Sequence, residues 1–172
     1  MGFLKNLFSG SKSKKKPVQK EEKVEEEVSQ KDYDYFRTLF ETGSDVIVID
    51  SDIKLGKSNY EIFKENLERP ENDQIPREGP KQDRIVLDRD NIVVDGQGHV
   101  IDALGKMGVF IVRAQNVVLK NINFEGIYNK DEPAVHIIGG ASCEIINCRF
   151  KAEKFPGVVI DESSSCTISG DD

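Results

Sequence analysis

The chain has 172 residues, 37% of them hydrophobic and 32% charged, which suits one folded domain with a substantial core and a tail. The net charge is −7, but the first 20 residues hold six lysines and no acid, so the rest of the chain carries −13, the difference between −7 and +6. An acidic body excludes broad binding to nucleic-acid phosphates, which requires clustered lysine and arginine.

Residues 1–29 are predicted to be a basic and then acidic disordered tail that links to the folded body. Lysine-rich residues 12–16 follow an apolar patch that consists of Phe3, Leu4, Leu7 and Phe8. A secretory signal has its charges before a longer apolar core, so we expect a cytoplasmic protein, with the cell surface as the alternative. Two interpretations of the tail stay open: a solvated terminus, or weak contact of Met1–Lys16 with the inner face of an anionic membrane.

The body, residues 30–172, is predicted to begin with an amphipathic helix over Gln30–Thr42. Ser29 with Asp32 resembles a capping box, and Gly43 supplies a stop. Aromatic and aliphatic side chains then follow at helical spacing: Tyr33, Phe36, Leu39 and Phe40. We expect this face to cover the end of a repeated structure, because terminal repeats need a cap.

Two short strands are predicted next, over Asp45–Asp50 and Ser51–Leu55. Residues 56–84 then interrupt the pattern with an inserted helix and loop. Ser58 and Glu61 form a capping box for the helix, which must end before Pro70.

Residues 85–172 repeat a short apolar run at steps of 24, 26 and 23 residues. The four runs are Ile85-Val86-Leu87, Val109-Phe110-Ile111, Val135-His136-Ile137 and Val158-Val159-Ile160. A second run follows each of them, at Asn91–Val94, Asn116–Leu119, Cys143–Ile145 and Cys166–Ile168. A period in this range is typical of solenoids. The sequence therefore predicts an all-β fold: a short right-handed parallel β-helix with an N-terminal capping helix and one helical insertion.

Two sets of polar or sulfur side chains are predicted to stack inside this repeat. Asn121 and Asn147 lie 26 residues apart at a turn position that Gly96 and Gly170 also occupy, and we expect them to form a structural ladder at a left-handed bend. Cys143 is expected to stack on Cys166 as a free thiol, and Cys148 is also expected to be free. The cysteine spacing fits no metal site, and no cofactor is expected.

Three stretches resemble pectin-lyase-like β-helix proteins, most closely the repeats of prokaryotic adhesin-like surface proteins. Ile92–Asp102 resembles their I-x-I-D-G-x-G-H-x-I-D opening, and Asn116–Phe124 resembles their N-V-x-L-x-N-I-x-F rung. Gly139-Gly140 with Asn147–Phe150 resembles a further rung. The resemblance implies the fold, but it does not imply an activity, because the fold hosts lyases, hydrolases, isomerases and many non-enzymes.

The outward positions of the first runs are predicted to be Val86, Phe110, His136 and Val159. Together with side chains at the strand ends they define a candidate ligand face: Phe110, His136, Arg113, Asp88 and Asp161. The stripe has neither a carboxylate pair nor an acidic cluster for calcium, with which enzymes of this fold cleave acidic polysaccharides. Asp95, Asp102 and His99 are interpreted as turn residues.

These observations favour a non-catalytic module that acts as a scaffold or recognises a glycan or protein surface. A polysaccharide lyase or glycoside hydrolase is the first alternative. A structural protein that self-associates end to end through its C-terminal rung is the second alternative, since an uncovered rung leaves backbone groups unpaired.

Overall fold

The computed structural model describes residues 30–76, 82–152 and 154–170. Within these ranges the fold is mostly β, with two α-helices and one 3-10 turn. The predicted tail, residues 1–29, lies outside the described residues. The helices are α1 (Tyr33–Leu39) and α2 (Asn59–Asn66), and the 3-10 turn is Glu71–Asp73. The strands in chain order are β1 (Gln30–Lys31), β2 (Val46–Val48), β3 (Asp52–Lys54), β4 (Ile85–Leu87), β5 (Val93–Asp95), β6 (Val100–Asp102), β7 (Phe110–Val112), β8 (Val117–Lys120), β9 (Asn123–Glu125), β10 (Val135–Ile137), β11 (Ser142–Ile146), β12 (Arg149–Phe150), β13 (Val158–Ile160) and β14 (Ser165–Ser169).

The strands form three parallel sheets that the chain visits in turn. The first sheet has the order β13-β10-β7-β4, the second β14-β11-β8-β5-β2, and the third β1-β3-β6-β9-β12. From β4 onward each strand belongs to the next sheet in this cycle, and each pairs in parallel with its counterpart one cycle away. This arrangement is consistent with a β-helix-like solenoid.

The core consists of side chains that stack in columns between the sheets. In the second sheet Val94, Leu119 and Ile145 are in register and fully buried. Burial of each such side chain contributes about 1.5–3 kcal/mol. Because strand side chains alternate between faces, the residues between them point outward.

Aromatic rings continue the core along the axis. The rings of Phe110 and Phe124 are perpendicular, with centroids 6.1 Å apart, and Phe124 stacks on Phe150 at 4.9 Å. Phe36 and Phe40 of the α1 region pack against Phe110 at 5.8 and 5.6 Å. The aromatic face of the helix therefore packs on the core, while its role as a cap of the solenoid stays a prediction.

Both helices begin at a side-chain cap. Asp32, rather than Ser29, caps α1, since its Oδ1 accepts the Tyr35 N–H at 3.0 Å. This makes α1 shorter than the predicted Gln30–Thr42. Ser58 caps α2 as predicted, with its Oγ accepting the Glu61 N–H at 3.2 Å.

The predicted register of the second rung is wrong by one residue. Phe110, not Val109, pairs with Ile85 and Val135. The reason is a local bulge: the N–H groups of Val109 and Phe110 both donate to the Ala134 carbonyl, at 3.1 and 2.8 Å. The shift of one residue exchanges the two faces within β7, so Phe110 points inward and is fully buried.

The turns between the second and third sheets match the prediction in part. Asn121 and Asn147 have left-handed φ values of 57° and 52°. Gly96 has no left-handed φ value, so glycine is required there for another reason. A Cβ at this position would lie 2.6 Å from the Asn121 carbonyl oxygen. Close approach of the neighbouring rung therefore excludes a side chain at Gly96.

The three cysteines are free thiols, as predicted. Cys143 pairs in register with Cys166, and burial raises the pKa of Cys143 to about 12. Burial also raises the pKa of Cys148 and Cys166. Because the thiolate is the reactive form, the shifts make these thiols poor nucleophiles at neutral pH.

Candidate functional site

The outer face of the first sheet carries a column without acidic residues, lysine or arginine, which we call the first-sheet stripe: Val86, Ile111, His136 and Val159. Val86 is 42% exposed, and the other three side chains are half-buried. Phe110, predicted on this stripe, is replaced by Ile111. The stripe is thus aliphatic apart from one imidazole.

Three of the predicted site residues directly follow first-sheet strands. The residues that directly follow β4, β7 and β13 are Asp88, Arg113 and Asp161. Because the last residues of these strands are in register, the three side chains lie along one edge of the stripe. Asp88 and Arg113 are exposed. The structure therefore brings His136, Asp88, Arg113 and Asp161 to one surface and removes Phe110 from it.

The Asp161 carboxylate binds the backbone of two turns, its own and that of the preceding rung. It accepts hydrogen bonds from the Gly139 N–H at 2.9 Å and from the Ser163 N–H and Oγ at 3.2 and 3.1 Å. Hydrogen bonds from the Ser164 hydroxyl and the Gly139 N–H lower the pKa of Asp161. A carboxylate bound in this way stabilises a rung-to-rung turn and is a poor proton donor.

Helix α2 is anchored beside the third sheet. Lys54, on the outer face of that sheet, forms an ion pair with Glu61, and Lys57 forms one with Glu65. Lys106 donates to Asn59 Oδ1 at 2.5 Å. These bonds fix α2 beside the third sheet, and Val86 on the first sheet is exposed.

The predicted turn residues make turn hydrogen bonds. Asp95 Oδ1 accepts the Gln97 N–H at 2.9 Å, and Asp102 Oδ1 accepts the Leu104 N–H at 2.9 Å. Asp95 also accepts from Asn121 Nδ2 of the next rung at 3.1 Å. Burial opposes ionisation of Asp95, but the Gln97 and Asn121 donors outweigh it and lower the pKa. The Asn121 amide thus bonds to the preceding rung, while a ladder of Asn121 and Asn147 stays a prediction.

His99 belongs to the same turn region. Its Nδ1 lies 3.1 Å from Asp52 Oδ1, which also accepts the Val100 N–H at 3.0 Å. The imidazole is therefore tied to the outer edge of the preceding rung.

Sequence reasoning missed a groove on the outer face of the third sheet. We call it the third-sheet groove; its volume is about 410 Å³, and it is lined by Val100, Asn123, Phe124, Glu125, Arg149, Phe150 and Lys151. The signal was present, because the offset of 26 residues that relates Phe124 to Phe150 also relates Asn123 to Arg149.

Neither surface contains a grouped set of acids. Among residues 30–76, 82–152 and 154–170, no cluster of three or more His, Cys, Asp or Glu side chains is placed to hold a metal ion. In the same residues no helix has the length and apolar character needed to cross a bilayer.

Comparison with known proteins gives no relative: no family model matches the sequence, and neither a curated protein nor a solved structure is significantly similar to it.

Proposed function

We propose that the chain is a right-handed parallel β-helix of the pectin-lyase-like kind and serves as a non-catalytic module that recognises a protein surface. The observation that carries the proposal is the first-sheet stripe, in which Val86, Ile111, His136 and Val159 stack in register. Right-handed winding is supported by the near-universal hand of parallel crossover connections. Adhesin-like repeat proteins are the kind that the sequence motifs resemble.

Burial of Phe110 favours a protein over a glycan as the ligand of this stripe. Sugar rings pack well on aromatic faces. The ring of Phe110 is buried in the core, so the stripe has no phenyl ring on its surface. Aliphatic side chains flanked by Asp88 and Arg113 instead match the usual make-up of protein interfaces, an apolar centre with a polar rim. Scaffolding by the other outer faces is compatible with this role.

Site-specific photo-crosslinking tests the proposal. A benzoylphenylalanine at position 86 is expected to capture a discrete protein from extracts of the native cells. The same group at position 46, on the second sheet, serves as the control, since Val46 is 55% exposed and Val86 is 42% exposed. Ile111→Asp should reduce capture from position 86 by at least about tenfold, because a buried unpaired charge costs more than 1.4 kcal/mol.

The crosslinking result has two contradicting outcomes. Identical products from positions 86 and 46 would show non-specific adhesion. Insensitivity of the product to Ile111→Asp would place the contact elsewhere. The enzyme alternative has its own readout: turnover of a pectic polymer that Asp88→Asn or Asp161→Asn abolishes would refute a non-catalytic role.

End-to-end self-association is a second candidate, favoured by two exposed isoleucines. Ile160 and Ile168 are in register with the buried Ile137 and Ile145, yet they are 42% and 60% exposed. Strands β12, β13 and β14 are also the last of their sheets. Open strand edges of this kind pair readily with another chain.

Sedimentation velocity tests this candidate. If the edge pairs, the sedimentation coefficient rises with protein concentration, and Ile168→Glu abolishes the rise because it places a charge in the interface. Phe63→Glu, on α2, is the matched control, since Phe63 is 61% exposed and lies on no strand edge, and it should leave the rise intact. A concentration-independent monomer would exclude self-association.

Contact of Met1–Lys16 with an anionic membrane stays a prediction, since those residues lie outside the described part of the chain.

A further inference from the structure

We propose that helix α2 docks on the surface of a phospholipid bilayer and inserts three side chains below the lipid headgroups. These side chains are Tyr60, Phe63 and Leu67, and we call them the α2 outer face. This face is not part of the first-sheet stripe, so failure of one proposal leaves the other intact. The exposure of the face, the mounting of the helix and the arrangement of its charges support the proposal.

The α2 outer face holds the three most exposed large hydrophobic side chains among the residues that the structure describes. Leu67 is 71% exposed, Tyr60 68% and Phe63 61%. They follow one another at spacings of three and four residues, so they share one side of the helix. Ile62 points the opposite way and is buried. A surface helix normally turns its apolar side inward, whereas α2 also presents an apolar side to solvent.

The polar side chains of α2 fix the helix to the rest of the domain. Both of its acids, Glu61 and Glu65, form the ion pairs with lysines described above. Asn66 binds the chain that follows: its Nδ2 donates to the Ile75 carbonyl at 3.1 Å, and its Oδ1 accepts the Ile75 N–H at 2.8 Å. Because these contacts use the polar side of the helix, the outer face is preorganised and loses little conformational entropy on binding.

The charges next to the outer face fit an anionic lipid surface. With both acids of the helix paired, its remaining charge is that of Lys64, which is exposed. Lys64 Nζ lies 5.7 Å from the centroid of the Tyr60 ring, on the outer side. A lysine in this place lays its stem along apolar groups and its ammonium among lipid phosphates. Glu68 follows the helix and offsets part of this charge, so the apolar side chains supply most of the expected binding.

The composition of this face is typical of helices that lie in the membrane interface. Such helices combine aromatic and leucine side chains on one side with lysine at its border, and tyrosine is enriched at the headgroup level. One short helix predicts weak and reversible binding, because stable anchoring takes two signals. The sequence predicts contact of Met1–Lys16 with the same kind of surface, and that segment would supply the second signal.

Tryptophan fluorescence tests the insertion directly, because the chain has no tryptophan of its own. The full chain with Phe63→Trp is mixed with vesicles of phosphatidylcholine and phosphatidylserine. We expect its emission to shift to shorter wavelength, and to be quenched when the phosphatidylcholine carries bromine on its acyl chains. Val46→Trp is the matched control, since Val46 is 55% exposed on the second sheet, and its emission should not change. Unchanged emission at position 63, or equal quenching at both positions, would overturn the proposal.

Co-sedimentation with the same vesicles measures the contribution of the apolar side chains. Y60S/F63S/L67S should lower the partition coefficient of the full chain at least about tenfold, because it removes most of the apolar area that the bilayer buries. All three side chains are exposed, so the fold should survive. V46S/V48S removes exposed apolar surface from the second sheet and should leave partition unchanged. An equal loss in both variants would count against docking through α2.

The role of Lys64 has a separate readout. Lys64→Glu should lower partition into the phosphatidylserine vesicles at least about fivefold, since each basic residue near an anionic surface contributes about that factor. On vesicles of phosphatidylcholine alone the variant should bind like the natural chain. Lys154→Glu, at an exposed position outside α2, is the control. Equal losses at positions 64 and 154 would indicate attraction by net charge alone and would refute docking of α2.

Discussion

Replacing Phe110 with alanine is expected to lower the free energy of unfolding by about 3–5 kcal/mol. Its ring is fully buried and contacts Phe36, Phe40 and Phe124, so truncation removes ring contacts in three directions. Neighbouring side chains on short strands held between two other rungs cannot collapse into the space. Urea unfolding followed by circular dichroism measures the change.

Ile111→Ala is the matched control for this substitution. Ile111 is the next residue along the same strand, but it is half-buried on the outer face. Its truncation should cost about 1 kcal/mol, the usual effect of a partly exposed site. Equal losses at positions 110 and 111, or a larger loss at 111, would contradict the register of β7.

Gly126→Ala is expected to lower the free energy of unfolding by about 2–5 kcal/mol. Gly126 has a φ of +72°, at which a side chain costs about 1–2 kcal/mol. A Cβ would also collide with the Asp102 carboxylate and the Leu104 amide nitrogen. Relief of such overpacking adds about 1–3 kcal/mol, and the same urea titration reports the sum.

Gly98→Ala separates the cost of backbone strain from the cost of overpacking. Gly98 has a φ of +83°, but a Cβ there meets no atom within 4 Å. It should therefore show only the backbone cost of about 1–2 kcal/mol. If Gly98→Ala were as destabilising as Gly126→Ala, close packing of the 102–105 turn against the next rung would be refuted.

The sequence predicted the second and third runs well, because several of them, such as Ile122-Asn123-Phe124 and Cys143-Glu144-Ile145, alternate between apolar and polar residues. The in-register pairs Leu119 with Ile145 and Phe124 with Phe150 follow from a constant offset of 26 residues. Alternation fixes which face each side chain occupies, and a buried face leaves no freedom to slip.

The first run could not be placed by pattern alone. Val109, Phe110, Ile111 and Val112 are all apolar, so the sequence does not show which pair points inward. The choice is made by a tertiary contact, the shared Ala134 carbonyl that bulges the backbone at Val109. The same limitation placed Phe110 wrongly on the candidate ligand face, whose other four residues lie on one surface.

The third-sheet groove was readable in principle from alternation. Arg149-Phe150-Lys151 and Asn123-Phe124-Glu125 each place one inward ring between two outward polar residues. What the sequence did not provide was the depth of the groove, because depth depends on the conformations of the lining side chains.

The central claim is the rung register that orients Phe110 inward and Ile111 outward beside His136. Proton nuclear Overhauser effects measure it directly. We expect cross-peaks between the Ile111 methyl groups and the His136 imidazole protons, and between the rings of Phe110 and Phe124. A cross-peak between the Phe110 ring and the His136 imidazole, without one from Ile111, would contradict the register and the site built on it.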